Sequence, residues 1–295
     1  MNNLIIAILP AILWGCMPIF TSKIGGRTVN QILGTTFGAL LTAIVFFVAL
    51  RPNITSEIFL FSFLSGLSWS LGQVLQYESF KALGVSKAMP ISTGLQIVGT
   101  SFGGVLLFSE WASTSAKIAG FVAIIIIIGG IYLTTISEKT PENASNAPKI
   151  KTSSIFWIFF FSTIGYVGFS IFPRYAAVQG FDGFLPQTIG MVLGALICMF
   201  LPQNKDVRPL KETVTYKNML VGVIFAGGSL SYLISAGLNG VATGFTISQM
   251  NVVFSTLGGV YILKEAKTKK ELTYTLIGLL LVIAGGIMIS FMTAS

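Results

Sequence analysis

Inside long apolar stretches of the 295-residue chain, amides, hydroxyls and aromatic rings recur at helical spacing. Ser62, Ser65, Trp69, Gln73 and Gln76 follow one another at steps of three and four, the spacing of a single helix face. Thr93, Gln96 and Thr100 repeat that pattern in the next stretch, Ser229, Tyr232 and Asn239 in a later one, and Ser248, Asn251 and Ser255 in the one after it. Trp14, Tyr166 and Gln187 add isolated members. Amides and hydroxyls both donate and accept hydrogen bonds, and indole or phenol faces suit the apolar face of a pyranose ring. The candidate binding set is therefore Trp14, Trp69, Gln73, Gln76, Thr93, Gln96, Tyr166, Gln187, Tyr232 and Asn251. An unpartnered amide in hydrocarbon costs roughly 4 to 8 kcal/mol, so each of these groups must bond either a neighbouring helix or a ligand. For any one residue both duties stay open. Taken together, a dozen polar side chains on facing stripes point to a water-accessible cavity.

The same list says what the cargo is not. A bound anion would call for arginine or lysine at mid-membrane, a lipophilic cation for a carboxylate, and the apolar stretches hold neither at their centres. A neutral, hydroxyl-rich molecule fits the set. Histidine is absent, and the two cysteines, Cys16 and Cys198, lie in apolar runs, so histidine or cysteine-cluster metal sites, a disulfide framework and histidine-based catalysis have no basis. Neither cofactor nor enzymatic activity is expected, and an enzyme or a non-transporting receptor is disfavoured. Three carboxylates carry sharper hypotheses: Glu110 and Glu265 as anchors of an outer and an inner gate, and Glu78 as a proton carrier, its plainer duty being an ion pair with Lys81.

These side chains need elements to hold them. With 53% hydrophobic and 9% charged residues and a mean hydropathy of +0.83, the chain cannot cover a water-soluble globule of this size. A spanning helix takes about 20 mostly apolar residues, and ten such stretches occur, at roughly 3 to 22, 30 to 50, 58 to 80, 88 to 109, 115 to 136, 153 to 173, 183 to 201, 217 to 237, 242 to 263 and 272 to 293. Their lengths, and runs such as Phe121 to Ile131 that are apolar all round, fit helices and not barrel strands. Leu13-Trp14-Gly15-Cys16 superficially resembles a lipoprotein cleavage box, but no basic residues precede it, so the first stretch is read as a span. Of the 18 basic residues, 15 fall in connections 1-2, 3-4, 5-6, 7-8 and 9-10, and only Arg51, Lys117 and Arg174 in the alternate ones. The net charge of +8 is thus an orientation signal and not a nucleic-acid surface, and it places both termini outside a multi-pass cell-membrane protein.

Residues 137 to 152 change composition and read as a cytoplasmic linker between a first half, 1–136, and a second, 153–295. The halves are related. Gly103-Gly104, five residues, Glu110 matches Gly258-Gly259, five residues, Glu265, a spacing of 155 that also aligns Gln96 with Asn251 and Thr93 with Ser248. Gly129-Gly130 matches Gly285-Gly286, and Phe37-Gly38-Ala39-Leu40 matches Leu193-Gly194-Ala195-Leu196. Five spans per half make the repeat inverted, the arrangement behind one common form of alternating access. The expected fold is an all-α integral membrane protein of ten transmembrane helices in two inverted five-helix repeats.

Three segments carry a family resemblance: Asn30-Gln31-Ile32-Leu33-Gly34-Thr35-Thr36-Phe37-Gly38-Ala39-Leu40, Gly84-Val85-Ser86-Lys87-Ala88-Met89-Pro90-Ile91-Ser92-Thr93-Gly94, and Leu185-Pro186-Gln187 with Gly190-Met191-Val192-Leu193-Gly194-Ala195. Over nearly its whole length the chain resembles the bacterial glucose and ribose uptake permeases of the drug/metabolite transporter superfamily. That resemblance implies a ten-helix monosaccharide importer driven by protons, with an exporter of drugs or metabolites, or an uncoupled sugar uniporter, as alternatives. The topology is directly testable: reporter fusions at either terminus should score as extracytoplasmic, and cytoplasmic signals from both would refute the orientation.

Overall fold

A computed structural model of the chain describes residues 2–109, 111, 113–136, 138, 152–178, 181–239, 247–265 and 267–293. Among these residues it is entirely helical. The elements are α1 (Asn2–Ile24), α2 (Thr28–Leu50), α3 (Ser56–Leu83), α4 (Val85–Phe108), α5 (Thr114–Thr135), α6 (Thr152–Tyr175), α7 (Phe184–Met199), α8 (Thr213–Lys217), α9 (Met219–Asn239), α10 (Asn251–Tyr261) and α11 (Lys269–Thr293). Each of the ten apolar stretches carries a helix, and α8 is an extra five-residue helix in a connection. Six helices are long and apolar enough to cross a membrane, or seven if α7 and the turns Pro202–Lys211, bent by 77°, count as one span. The chain is thus a multi-pass helical membrane protein, and the described residues hold fewer full-length spans than the ten expected. α10 accounts for part of the difference, because it begins only at Asn251, after a segment outside the described residues.

Local chemistry sets the helix ends. Thr55 Oγ1 accepts the Ile58 amide at 3.2 Å, Ser113 Oγ accepts the Ala116 amide at 3.1 Å, and Thr268 with Glu271 forms a reciprocal capping box at the start of α11. Arg51 and Ser109 stop α2 and α4 in the left-handed conformation, with φ of 47° and 54°. Most of the linker expected at 137 to 152 lies outside the described residues. Its Glu138 amide donates to the fully buried Glu271 carboxylate at 2.8 Å.

Helices from the two halves interleave instead of forming separate bundles. α3 packs on α6 and α7, α9 packs on α1 and α2, α4 meets α6 and α10, α1 meets α10, and α5 lies along α11. Lipid is as apolar as leucine, so these seams depend on close approach more than on hydrophobic burial. Glycine provides it. A Cβ at Gly66 would collide with the Gln187 carbonyl, one at Gly190 with the Phe63 carbonyl, one at Gly38 with the Met219 carbonyl, and one at Gly222 with the Thr35 carbonyl. Gly66→Ala should therefore destabilise the protein by about 1–3 kcal/mol, the usual cost of overpacking. Gly129→Ala, where nothing lies within 4 Å of the added carbon, should be silent. Thermal unfolding midpoints in detergent compare the two, and equal midpoints would show that the α3–α7 seam tolerates separation.

Candidate functional site

The glutamines of α3 meet partners from two other helices. Tyr166 Oη, from α6, donates to Gln73 Oε1 and Gln76 Oε1, each at 2.9 Å. Gln73 Nε2 donates to Gln76 Oε1 at 3.1 Å, Gln76 Nε2 to Ser92 Oγ of α4 at 2.8 Å, and Gln96 Nε2 to the same hydroxyl at 2.9 Å. Gln73, Gln76 and Tyr166 are buried. No charged side chain takes part in this network, which joins α3, α4 and α6 into one neutral cluster.

Rings flank it. Trp69 packs against Phe225 of α9 with ring centres 4.8 Å apart, and Trp14 lies 5.9 Å from the Tyr232 ring while its indole N–H reaches the Phe225 carbonyl at 3.3 Å. Gly228 and Gly72 make room for these side chains, since a Cβ at either would press on Trp14 or on Tyr166 respectively. Gln187 stands slightly apart, donating to Ser65 Oγ at 3.0 Å, whose proton goes to the Phe169 carbonyl. Thr93 is buried on α4, and Asn251 turns its amide back to the Ser248 carbonyl at 3.0 Å. The structure thus gathers Gln73, Gln76, Gln96 and Tyr166 into one network and Trp14 and Tyr232 into a ring pair. Asn251 bonds the turn that precedes its own helix instead. Ser92 and Phe225 escaped the sequence reading; Ser92 lies within the quoted helix-4 segment, whereas an apolar Phe225 gives no polar signal.

The three carboxylates have distinct surroundings. Glu78 accepts a short hydrogen bond from Thr28 Oγ1 and faces Lys81 Nζ at 3.5 Å, and that amine also reaches Thr28 Oγ1 at 2.6 Å. The group lines a cavity of 330 Å³ between the start of α2, the end of α3 and the end of α7, which also exposes Arg27, Gln203 and Asn204. Glu265 lies just after α10 and accepts the Val85 and Ser86 amides at 2.6 and 2.8 Å, so its charge sits on the positive end of α4 and ties the two helices together. Glu110 lies outside the described residues.

The polar cluster of this helical membrane protein holds no charged side chain, and Glu78 and Glu265 stand at helix ends. Comparison with known proteins gives the family. Residues 5–292 match the model of the family described as "Sugar transport protein", and the chain belongs to that family. A protein of Listeria monocytogenes, provisionally named a sugar uptake protein, is 47% identical over 287 residues, covering 97% of this chain and 98% of its own. A Latilactobacillus sakei protein, provisionally named a ribose uptake protein, is 44% identical over 294 residues, with 98% of each chain covered. The glucose uptake protein of Bacillus subtilis is 42% identical over 287 residues, covering 97% and 96%. A solved structure described only as a crystal structure of a protein shares the fold, with a TM-score of 0.59 at 14% identity over 99% of this chain and 98% of that one.

Near Glu265, burial pulls the Lys267 amine down to about 8, with Lys87 adding to the effect and Glu271 and Glu265 opposing it. Between that value and the ordinary lysine range near about 10.4, the unfolded chain holds a proton that the folded one has released. Folded-state stability should therefore rise with pH across that window, and the deficit should be complete below it. Unfolding midpoints measured from pH 7 to 10.5 should show this rise, and Lys267→Met should remove it. An identical slope in the variant would assign the effect elsewhere.

Proposed function

We propose that the protein imports a neutral monosaccharide of the glucose or ribose type across the bacterial cell membrane, by secondary-active alternating access with a proton as coupling ion. The observation that carries the sugar reading is the network of Gln73, Gln76, Gln96, Ser92 and Tyr166, bordered by Trp14, Trp69 and Tyr232, which matches alternating hydroxyls and ring face in chemistry without offering a charge to any other solute. Relatives named for sugar, ribose and glucose uptake support the same reading.

The transport geometry is ten helices in two inverted repeats, 1–136 and 153–295, joined by the linker, with both termini outside. Two observations support it. Residues 28–91 align with 184–247 without a gap, pairing Gln31 with Gln187, Gly34 with Gly190, Gly38 with Gly194, Gly66 with Gly222 and Gly72 with Gly228. The packing pattern also survives exchange of halves: α3–α6 corresponds to α9–α1, α3–α7 to α9–α2, and α4–α6 to α10–α1. Glu265 then holds one gate and Glu110 its counterpart at the opposite face.

Glu78 is the proton carrier in this scheme, being the carboxylate that lines the 330 Å³ cavity. In proteoliposomes Glu78→Gln should keep sugar counterflow and lose uptake driven by a pH gradient by about tenfold or more, equivalent to about 1.4 kcal/mol. Gradient-driven uptake that survives would make the protein a uniporter or move the coupling elsewhere, and efflux of hydrophobic cations in place of sugar entry would make it an exporter.

A further inference from the structure

The two ends of the bundle are not in the same state, although the repeat builds each from equivalent parts. At one end the 330 Å³ cavity is lined by Thr28, Val29 and Gln203. Their repeat partners are Phe184, Leu185 and Phe47, and these close around a pocket of only 10 Å³. Val74 borders the large cavity, whereas its partner Leu230 is packed into an apolar cluster with Ala43, Phe184 and Ala226. A polar, open end therefore faces an apolar, plugged one.

Helix register differs in step with this. On the α3–α7 seam, Gly66 abuts Gln187 and Met191, and Gly190 abuts Phe63. Carried through the repeat, those contacts would set Gly222 against Gln31 and Thr35, and Gly34 against Met219. The α2–α9 seam instead sets Gly222 against Thr35 and Ala39, Gly38 against Met219, and Gly34 against Thr215. Every partner is four residues further along α2, about one helical turn or roughly 5.4 Å. Other seams keep their register: Gly228 meets Trp14 as Gly72 meets Tyr166, and Gly258 meets Ile19 as Gly103 meets Ile171. The displacement belongs to α2 and α7, and a slide of α7 along α3 exchanges the two side-chain bonds that cross that seam, from Gln187 to Ser65 and from Ser70 to the Met191 carbonyl.

We propose that the cavity at Thr28, Glu78 and Lys81 is a monosaccharide-binding vestibule, the open half of the solute path, and that it exchanges with the plugged pocket at Phe184 by a one-turn slide of α2 along α9 and of α7 along α3. This rests on the transport reading given above. The vestibule has the size of small-molecule sites, commonly about 300–1,000 Å³. Glu78 is held there by Thr28 and Lys81 as an acceptor for hydroxyl pairs, Gln203 contributes an amide, and Val74 and Leu201 supply apolar wall for a ring face. The cavity extends along α2 to Ile32 and along α3 to Val74. Its charges are not demanded by the fold, because the repeat partners of Arg27, Glu78 and Lys81 are Gly183, Ile234 and Gly237. One-turn ratchets of packed helices are a known form of switching.

The test uses the full chain with Cys16→Ala and Cys198→Ala, carrying either Val74→Cys or Leu230→Cys, in proteoliposomes exposed on both faces to a small water-soluble maleimide. Val74→Cys should react about tenfold faster than Leu230→Cys, and glucose or ribose should slow it. Thr28→Phe, which copies the plug into the open end, and Phe184→Thr, which removes it from the closed end, should each favour the exchanged state, slowing Val74→Cys and speeding Leu230→Cys until the two rates are near equal, a shift of about tenfold in the two-state ratio. Labelling ratios unmoved by both substitutions, both sites rising or falling together, or no protection by either sugar would overturn the proposal. Labelled-glucose and labelled-ribose uptake by the unsubstituted chain separates the two levels: no flux of either sugar defeats the transport reading itself, whereas flux with an unmoved ratio defeats only the slide and its vestibule.

Discussion

Backbone lies against backbone at the seams between the halves, and the remaining architecture depends on it. At Gly66, Gly190, Gly38 and Gly222 the facing carbonyls leave no room for a side chain. In lipid this closeness replaces the hydrophobic drive that water would supply, because dispersion contacts and the alignment of polar groups both need short separations. It also brings α3 near enough to α6 and α7 for Ser162 to donate to the Gly72 carbonyl and Ser70 to the Met191 carbonyl, at 2.8 and 2.7 Å. The polar interior can therefore be satisfied by side chains of ordinary length.

That satisfaction shapes the binding chemistry. Tyr166, Gln73, Gln76, Ser92 and Gln96 bond one another instead of standing open, so in the proposed reading a sugar entering the cluster would exchange hydrogen bonds and not simply fill a void. Such an exchange is close to neutral in energy, since each bond gained replaces one lost. Near-neutral exchange suits a carrier, which must release what it binds. A site built from arginine or a buried carboxylate would hold its ligand through a large desolvated charge and would give it up slowly.

Much of this was legible in the chain. Apolar stretches located most of the helices to within a few residues, α10 excepted, because spanning length and caps such as Thr55, Ser113 and Thr268 leave direct marks in sequence. Steps of three and four gathered Gln73, Gln76 and Gln96 on inward faces, and α3, α4 and α6 do bring them to Tyr166. What spacing could not provide was the partner. Asn251 reads like Gln96 by repeat position, yet its amide bonds the Ser248 carbonyl in the turn just before α10. Glu265 read as a gate anchor, and only the fold reveals that it accepts hydrogen bonds from two α4 amides. The register difference between α2 and α7 was invisible because identical glycine spacing permits both registers.

An inverted repeat makes the two faces of a membrane protein equivalent until residue differences break the equivalence. In the proposed repeat they break it around Thr28. Thr28 donates to Glu78 and accepts from Lys81, whereas its repeat partner is Phe184, with Ile234 and Gly237 in place of the charged pair. Thr28 rides on α2 and the charged pair on α3, so a slide of α2 by one turn would part that hydroxyl from both of its partners at once. The carboxylate would then lose a donor that it can recover only by returning to the same register or by accepting a proton or hydroxyl from elsewhere. In the proposed slide, gate position and the state of Glu78 would be joined through a single side chain. A carrier with neutral binding chemistry needs such a joint, because nothing in a network of amides and hydroxyls can itself sense a gradient of charge.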